Sequence, residues 1–197
     1  MANFAAALPY LIQNEGGYSN QPGDKGGETM YGITVSTARK YGYTGPMASL
    51  PLNVASAIFQ EWYWNPLYLD SVSSQSVATK LLDMSANFGP GTAAKLAQSA
   101  VNTLVDPPVD IDGGIGTDTL DSLNTADERD LLAALVQACV DRYQQIVAED
   151  PSQEKWYQGW MNRASKIPGI VAGGIGTSVL LLIGLGLFLL FRNRGPA

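Results

Sequence analysis

Most of the chain carries the three- and four-residue spacing of apolar positions that is typical of amphipathic helices. The clearest stripe consists of Leu132, Leu135, Cys139, Tyr143 and Ile146. The same kind of pattern predicts helices over 3–14, 50–64, 76–88, 91–104, 127–149 and 152–166. The predicted fold class is therefore mainly α.

Two segments lack this spacing and are rich in turn-forming residues. Residues 16–33 combine Gly, Pro, Asn and Asp, which predicts turns around a short hairpin with Met30–Thr34 as the best strand candidate. Residues 106–119, DPPVDIDGGIGTDT, predict a second loop that joins two helical lobes. This loop superficially resembles a calcium loop, but it lacks the ligand spacing and the terminal glutamate of an EF-hand, so no metal site is predicted.

The C-terminal thirty residues differ from the rest of the chain. No charge occurs from Ile167 to Phe191, and the run after Pro168 has 23 residues. A helix of that length spans about 35 Å, against roughly 30 Å of bilayer hydrocarbon. A single transmembrane helix is predicted over 167–191, followed by a short basic tail at 192–197.

Small residues in this apolar run have a spacing that permits helix pairing in a membrane, so a homo-oligomer through the tail stays open. These residues are Gly169 with Gly173, and Gly174 with Ser178. Basic residues flank the run on both sides, and the orientation in the bilayer therefore stays open as well. The N-terminus lacks the basic and apolar regions of a secretory signal.

Composition excludes several kinds of chemistry. The chain has no histidine and one cysteine, Cys139. Ser-His-Asp and Cys-His systems need an imidazole base, and zinc sites need several His or Cys ligands. The net charge is −6, and no basic stripe with interleaved aromatics occurs, so a nucleic-acid partner is not predicted. Acid–base chemistry must use carboxylates, Lys or Tyr, and no cofactor is predicted.

Glu15 is the carboxylate with the most specific surroundings. Phe4, Leu8 and Leu11 recur at helical spacing, and Glu15 lies four residues further on the same face, directly before two glycines that end the helix. The negative end of the helix dipole opposes its charge by about 0.3–1 kcal/mol, and burial acts in the same direction. A protonated carboxyl is what a general acid for glycosidic cleavage requires. Pro9 is expected to kink or restart this helix.

Asp24 and Thr29 follow in the glycine-rich segment. A loop carboxylate exposed to water stays ionised, which suits activation of a water or stabilisation of positive charge on a sugar ring. The Thr29 hydroxyl could help to hold that water. Composition alone leaves the simpler alternatives open: Glu15 as a solvated helix end, Asp24 as a turn former and Thr29 as a strand residue.

The segment EGGYSNQPGDKGGETMYGIT, residues 15–34, resembles the opening motif of glycoside hydrolase family 108. That motif reads roughly E-G-G-Y/F-x-N/D-x-P-x-D-x-G-G-x-T-x-Y/F-G-I-T, and every defined position is met. AIFQEWYWNPL, 57–67, and DMSANFGPGTAAKLAQ, 83–98, are similar to the family's following segments. Residues from about 91 to 166 resemble the helical peptidoglycan-binding domain usually found behind it, with IDGGIGTDTL and KWYQGWMNR as landmarks.

The resemblance implies a lysozyme-like α+β fold with a small hairpin lobe, here followed by the transmembrane helix. It also implies a muramidase that hydrolyses the β-1,4 bond between N-acetylmuramic acid and N-acetylglucosamine. The family's catalytic glutamate corresponds to Glu15, and the order Glu15, Asp24, Thr29 resembles the catalytic triad of small phage lysozymes.

The resemblance also suggests domain boundaries. A catalytic domain is expected over 1–90 and a peptidoglycan-binding domain over 91–166, before the transmembrane helix and the basic tail.

Several further residues are candidates for substrate binding. Tyr18 and Tyr31 flank the glycine-rich loop and are expected to stack on sugar rings, or alternatively to pack the small lobe. Asp83 and Asn87 lie one helical turn apart, match family positions and are expected to line the cleft. Arg163 belongs either to a binding surface or to helix packing.

The resulting hypothesis is a membrane-anchored peptidoglycan hydrolase of phage origin, located in a virion membrane or the host inner membrane. Its expected partners are peptidoglycan and, through residues 168–191, a lipid bilayer. One alternative is a lytic transglycosylase that uses Glu15 alone, with the muramic 6-hydroxyl as nucleophile. Another is a non-catalytic peptidoglycan-binding structural protein of a membrane-containing virion.

Overall fold

The computed structural model describes residues 1–20 and 27–168. Within these ranges the chain is mainly helical, with one two-stranded antiparallel sheet. The helices are α1 (Phe4–Glu15), α2 (Val35–Tyr41), α3 (Leu52–Phe59), α4 (Gln75–Phe88), α5 (Pro90–Val101), α6 (Thr117–Thr125), α7 (Glu128–Glu149) and α8 (Glu154–Ala164). The strands are β1 (Thr29–Met30) and β2 (Ile33–Thr34).

The six predicted helices are all present, and the segment predicted as 50–64 is α3 continued by a π-helical turn over Gln60–Trp64. Two further helices were not predicted from the sequence because their apolar stripes are short. Helix α2 has seven residues. Helix α6 begins inside the predicted loop 106–119 and buries only two of its side chains, Thr119 and Leu123.

The predicted transmembrane helix and basic tail lie outside the described residues, apart from Ile167 and Pro168. Among the helices of the described ranges, none combines the length and the apolar character needed to cross a bilayer.

Helix α1 runs without interruption through Pro9, so the predicted restart at that residue is wrong. Pro9 lies on the exposed side, where water can bind the carbonyl that loses its helical partner. The Asn3 side chain caps the helix by accepting from the amide of Ala5 at 2.8 Å. The buried face is formed by Phe4, Ala7 and Leu11.

The predicted strand Met30–Thr34 is a tight hairpin, because the chain reverses at Tyr31 and Gly32. Met30 pairs with Ile33, and the two turn residues have φ values of 54° and 77°. Positive φ at both central positions is the geometry of a type I′ turn, which twists in the same sense as the strands it joins.

Helix α4 lies at the centre of the fold and packs against α1, α5 and α7. It is buried without a break from Val77 to Ser85, including the polar residues Lys80 and Asp83. The buried apolar residues form one hydrophobic core, whose members range along the chain from Ala2 to Ala164. Cys139 belongs to this core, as the apolar stripe of α7 predicts. The proposed domain boundary between residues 90 and 91 therefore divides a shared core, and it stays a prediction.

Candidate active site

Glu15 is the last residue of α1, which ends because Gly16 has a φ of 76° that helical residues do not adopt. The Glu15 side chain is only 15% exposed, as its position on the buried face predicts. The turn of the hairpin lies directly against it: a Cβ atom at position 32 would overlap Oε2 of Glu15. Position 32 thus requires glycine both for its backbone angle and for the space that the carboxylate occupies.

Arg163 of α8 binds Glu15 and a second carboxylate at the same time. Its Nη2 donates to Oε1 of Glu15 at 2.5 Å and to Oδ1 of Asp83 at 2.9 Å, and its Nε donates to the same Asp83 oxygen at 3.2 Å. Asp83 is buried in α4, and the Arg163 side chain is 18% exposed. Three helices that are distant in sequence therefore meet at one guanidinium group.

The charges of this cluster keep the guanidinium protonated. Burial alone would lower the pKa of Arg163, but the negative charges of Asp83 and Glu15 and the hydrogen bonds to both outweigh it and raise that pKa. The reasoning from the helix end and from burial omitted this cation. That guanidinium contacts the Glu15 carboxylate directly through a charge-assisted hydrogen bond.

Tyrosine side chains surround the ion cluster and remain neutral. Burial, reinforced by the charge of Asp83, raises the pKa of Tyr10 to about 12. Burial also raises the pKa of Tyr63, which the charge of Glu15 raises further, and that of Tyr143. These hydroxyls therefore act as hydrogen-bonding groups rather than as anions at neutral pH.

The C-terminal end of α8 is fastened to α4 by a buried lysine. Lys80 is fully buried, and its Nζ donates to the carbonyl of Ala164 at 2.7 Å and to that of Lys166 at 3.3 Å. Helix α1 holds the same end, since the Tyr10 hydroxyl donates to the Lys166 carbonyl at 3.1 Å. These contacts fix the helix that carries Arg163.

The other predicted site residues occupy different surroundings. Asp83, predicted to line the cleft, is buried and accepts two hydrogen bonds from Arg163. Asn87 is exposed one turn further along α4, and its amide donates to the hydroxyl of Tyr143. Tyr18 is 46% exposed and donates to Oε1 of Glu28 at 2.8 Å. Tyr31 is partly buried at the hairpin turn, where it packs against the core.

Thr29 is half-buried in β1, and its backbone pairs with Ser19. The amide of each residue donates to the carbonyl of the other, at 2.8 and 3.0 Å. Asp24 lies in the range 21–26, outside the described residues. The Ser19–Thr29 pair nevertheless fixes the two ends of the segment that contains it.

A groove of about 520 Å³ is lined by Tyr63 together with Lys40, Glu61, Trp62, Pro66 and Pro90. Trp62 is half-buried and meets Tyr41 edge to face with 5.5 Å between the ring centroids, and the Lys40 ammonium lies 5.5 Å from the centroid of the Trp62 ring. Tyr63 belongs both to this groove and to the electrostatic surroundings of Glu15. A depression of similar volume along 105–110 and 118–125 contains none of the predicted site residues.

Sequence reasoning missed the roles of Gly32, Lys80 and Arg163. The Tyr-Gly dipeptide inside an apolar segment was a signal for the turn, because a type I′ turn favours glycine. No local pattern connects Arg163 to Glu15, which is 148 residues away in the chain.

Two family matches define the class of protein. Residues 8–89 match the glycosyl hydrolase 108 family, and residues 54–165 match a family described as a predicted peptidoglycan domain. The two stretches overlap over residues 54–89. Together the matches support a glycoside hydrolase that degrades peptidoglycan.

The chain belongs to the predicted peptidoglycan domain family, whose match covers more than half of its 197 residues. The chain is also similar to the solved structure of SagA from Brucella abortus, with 28% sequence identity and a TM-score of 0.69. That similarity covers 90% of this chain and 94% of the other. A search of curated proteins returned no match.

Proposed function

We propose that the protein is an N-acetylmuramidase that cleaves the β-1,4 bond between N-acetylmuramic acid and N-acetylglucosamine in peptidoglycan. The observation that carries the proposal is the position of Glu15. It is a largely buried carboxylate at a helix end, covered by a hairpin turn, within the stretch that matches glycosyl hydrolase 108. A carboxyl group within a glycoside hydrolase stretch is the kind of group that protonates a glycosidic oxygen.

In the proposed reaction, the acid form of Glu15 donates its proton to the glycosidic oxygen as the bond to the sugar breaks. The positive charge that develops on the sugar ring requires a second group. We assign this role to Asp24, with Thr29 holding the attacking water, on the strength of the Glu–Asp–Thr order. The backbone pairing of Ser19 with Thr29 supports the assignment, because it brings both ends of the Asp24 segment to the hairpin beside Glu15.

Sugar binding is assigned to aromatic and amide side chains near Glu15. Tyr18 and Tyr31 offer ring faces on either side of the glycine-rich segment, and Asn87 offers an exposed amide. The groove at Trp62 and Tyr63 is a further candidate, because aromatic rings stack on the apolar faces of sugars. Asp83 is assigned a supporting role through Arg163 rather than a contact with substrate.

A lytic transglycosylase is the second candidate. Asp83 is the second carboxylate that Arg163 binds beside Glu15. Because Asp83 is buried and ion-paired, it is poorly placed to activate water. A transglycosylase requires only the carboxyl of Glu15, with the muramic 6-hydroxyl as nucleophile.

Mass analysis of soluble muropeptides, released from purified sacculi by the full chain, tests the proposal. A muramidase yields products that end in reducing N-acetylmuramic acid. A transglycosylase yields anhydro ends that are lighter by one water, and reducing N-acetylglucosamine ends would show that the other glycosidic bond is cut. Binding to sacculi without any soluble product would favour the non-catalytic wall-binding protein and contradict the enzyme.

We also propose that the apolar run 168–191 anchors the enzyme in a bilayer and that the protein acts for a phage, in a virion membrane or the host inner membrane. The support is the length and apolar character of that run. Pairing through Gly169 and Gly173 is part of the same proposal.

A further inference from the structure

We propose that Arg163 is a positioning residue of the glycosidase site, which fixes the orientation of Glu15 through a planar ion pair that Asp83 holds in place. The inference rests on the proposed role of Glu15 as general acid. It makes the last helix of the peptidoglycan domain a part of the site that cuts the sugar chain.

The hydrogen bonds of the Arg163 guanidinium fix its geometry. One nitrogen, Nη2, donates to both Glu15 and Asp83, while Nε donates to Asp83 alone. Asp83 thus receives two hydrogen bonds from the planar group and sets its plane, which leaves Nη2 directed at Glu15. A planar guanidinium held in this way orients its second carboxylate, which a flexible ammonium group would not do.

The helix that carries Arg163 is already held by other contacts. Lys80 binds the C-terminal carbonyls of α8, and Trp160 stacks on Tyr143 with 5.0 Å between ring centroids and 14° between planes. The Arg163–Asp83 pair adds a further link between α8 and α4. The bond to Glu15 is additional to these contacts, and it reaches the residue that the hairpin turn covers.

The charges of Arg163 and Asp83 act on Glu15 in opposite directions. Arg163 stabilises the charged form of Glu15, and Asp83 offsets part of that effect by neutralising the guanidinium. Removing Arg163 should therefore make Glu15 easier to protonate, and neutralising Asp83 should make it harder. Among the described residues, the titratable groups that face the cluster from the packed elements are Tyr10 of α1, Lys80 of α4, Cys139 and Tyr143 of α7, and Tyr63 from the turn after α3.

The test is the pH profile of kcat/KM for sacculus digestion by the full chain. Its alkaline limb reports loss of the protonated acid in the free enzyme. Arg163→Gln should move this limb up by about one pH unit or more, since a contacting cation is removed, and Asp83→Asn should move it down. Arg163→Lys should leave the limb nearly in place while kcat falls at least about tenfold, because the charge is kept and the planar fork is lost.

Arg129→Gln, an exposed arginine at the start of α7, is the matched control and should leave the profile unchanged. The inference would be overturned if Arg163→Gln and Asp83→Asn both kept the wild-type alkaline limb and their rates followed only the folded fraction measured by circular dichroism. If Arg163→Gln does not fold, the lowered limb of Asp83→Asn and the unshifted limb with reduced kcat of Arg163→Lys decide. If Glu15→Gln is inactive but the Arg163 and Asp83 variants show unshifted alkaline limbs, only this inference is wrong. If Glu15→Gln is active, the proposed function is wrong as well.

Discussion

Gly32→Ala is the substitution that most directly probes how the hairpin holds Glu15. Gly32 has a φ of 77°, and an added Cβ would overlap Oε2 of the Glu15 carboxylate. The substitution therefore strains the backbone and also pushes the carboxylate from its place. Gly42→Ala provides a matched control, because Gly42 has a φ of 103° and nothing lies within 4 Å of its added Cβ.

The magnitudes separate the two effects. A non-glycine residue in the left-handed region costs roughly 1–2 kcal/mol, and both variants carry this cost. Displacing Glu15 also weakens its hydrogen bond to Arg163, a charge-assisted contact worth about 1.5–3 kcal/mol. Gly32→Ala should thus lose about 2–4 kcal/mol of unfolding free energy, and Gly42→Ala about 1–2 kcal/mol.

The assay pairs urea unfolding with the initial rate of sacculus digestion, corrected for the folded fraction. Gly32→Ala should lose roughly 100-fold in rate, the scale expected when a reacting group is displaced by about 1 Å. Gly42→Ala should keep the wild-type rate per folded molecule. Equal rates in the two variants would refute the claim that the turn positions Glu15.

Three further predictions concern other parts of the molecule. Burial raises the pKa of Tyr10 from 10.0 to about 12, so its neutral form stabilises the fold fully below pH 10 and this contribution is lost as pH rises through 12. Between pH 9 and 12, the unfolding free energy measured in urea should therefore fall less in Tyr10→Phe than in the wild type. Equal pH slopes in the two proteins would contradict the prediction. Lys80→Met should lower the free energy of unfolding in urea by about 1–3 kcal/mol, because the Ala164 and Lys166 carbonyls lose their donor. An unchanged unfolding midpoint would show that α8 is held by other contacts. Replacing both Leu181 and Leu182 by arginine should abolish flotation of the full chain with lipid vesicles, at about 2.5–3.5 kcal/mol for each charge near the centre of the span; unchanged flotation would reject the proposed anchor.

Periodicity along the chain predicted the long helices because each buries a continuous apolar stripe. It also placed Glu15 correctly, since a residue four positions after Leu11 must share its face of α1. The same reasoning failed at α2 and α6, whose stripes are too short to register, and at Pro9, whose exposed position lets the helix continue.

The arrangement around Glu15 could be predicted only in part. The family resemblance identified the carboxylate and the segment that folds over it, but the partner of the carboxylate comes from the other end of the chain. Arg163 and Glu15 meet because α1 and α7 both pack on α4 and α8 packs on α7, and such a contact depends on tertiary packing rather than on local spacing. The same holds for the buried Asp83, because the sequence around it does not indicate that Arg163 is its neighbour in space.

The central claim is that the Glu15 carboxyl donates the proton that breaks the sugar chain. The most direct measurement is the rate at which the full chain solubilises purified sacculi, compared between Glu15→Gln and Glu149→Gln. Both residues end a helix, but Glu149 is exposed at the end of α7. We expect Glu15→Gln to lose at least about 1000-fold with its fold intact and Glu149→Gln to keep the wild-type rate, since an amide cannot supply the proton. A folded Glu15→Gln variant that digests sacculi as fast as wild type would contradict the account.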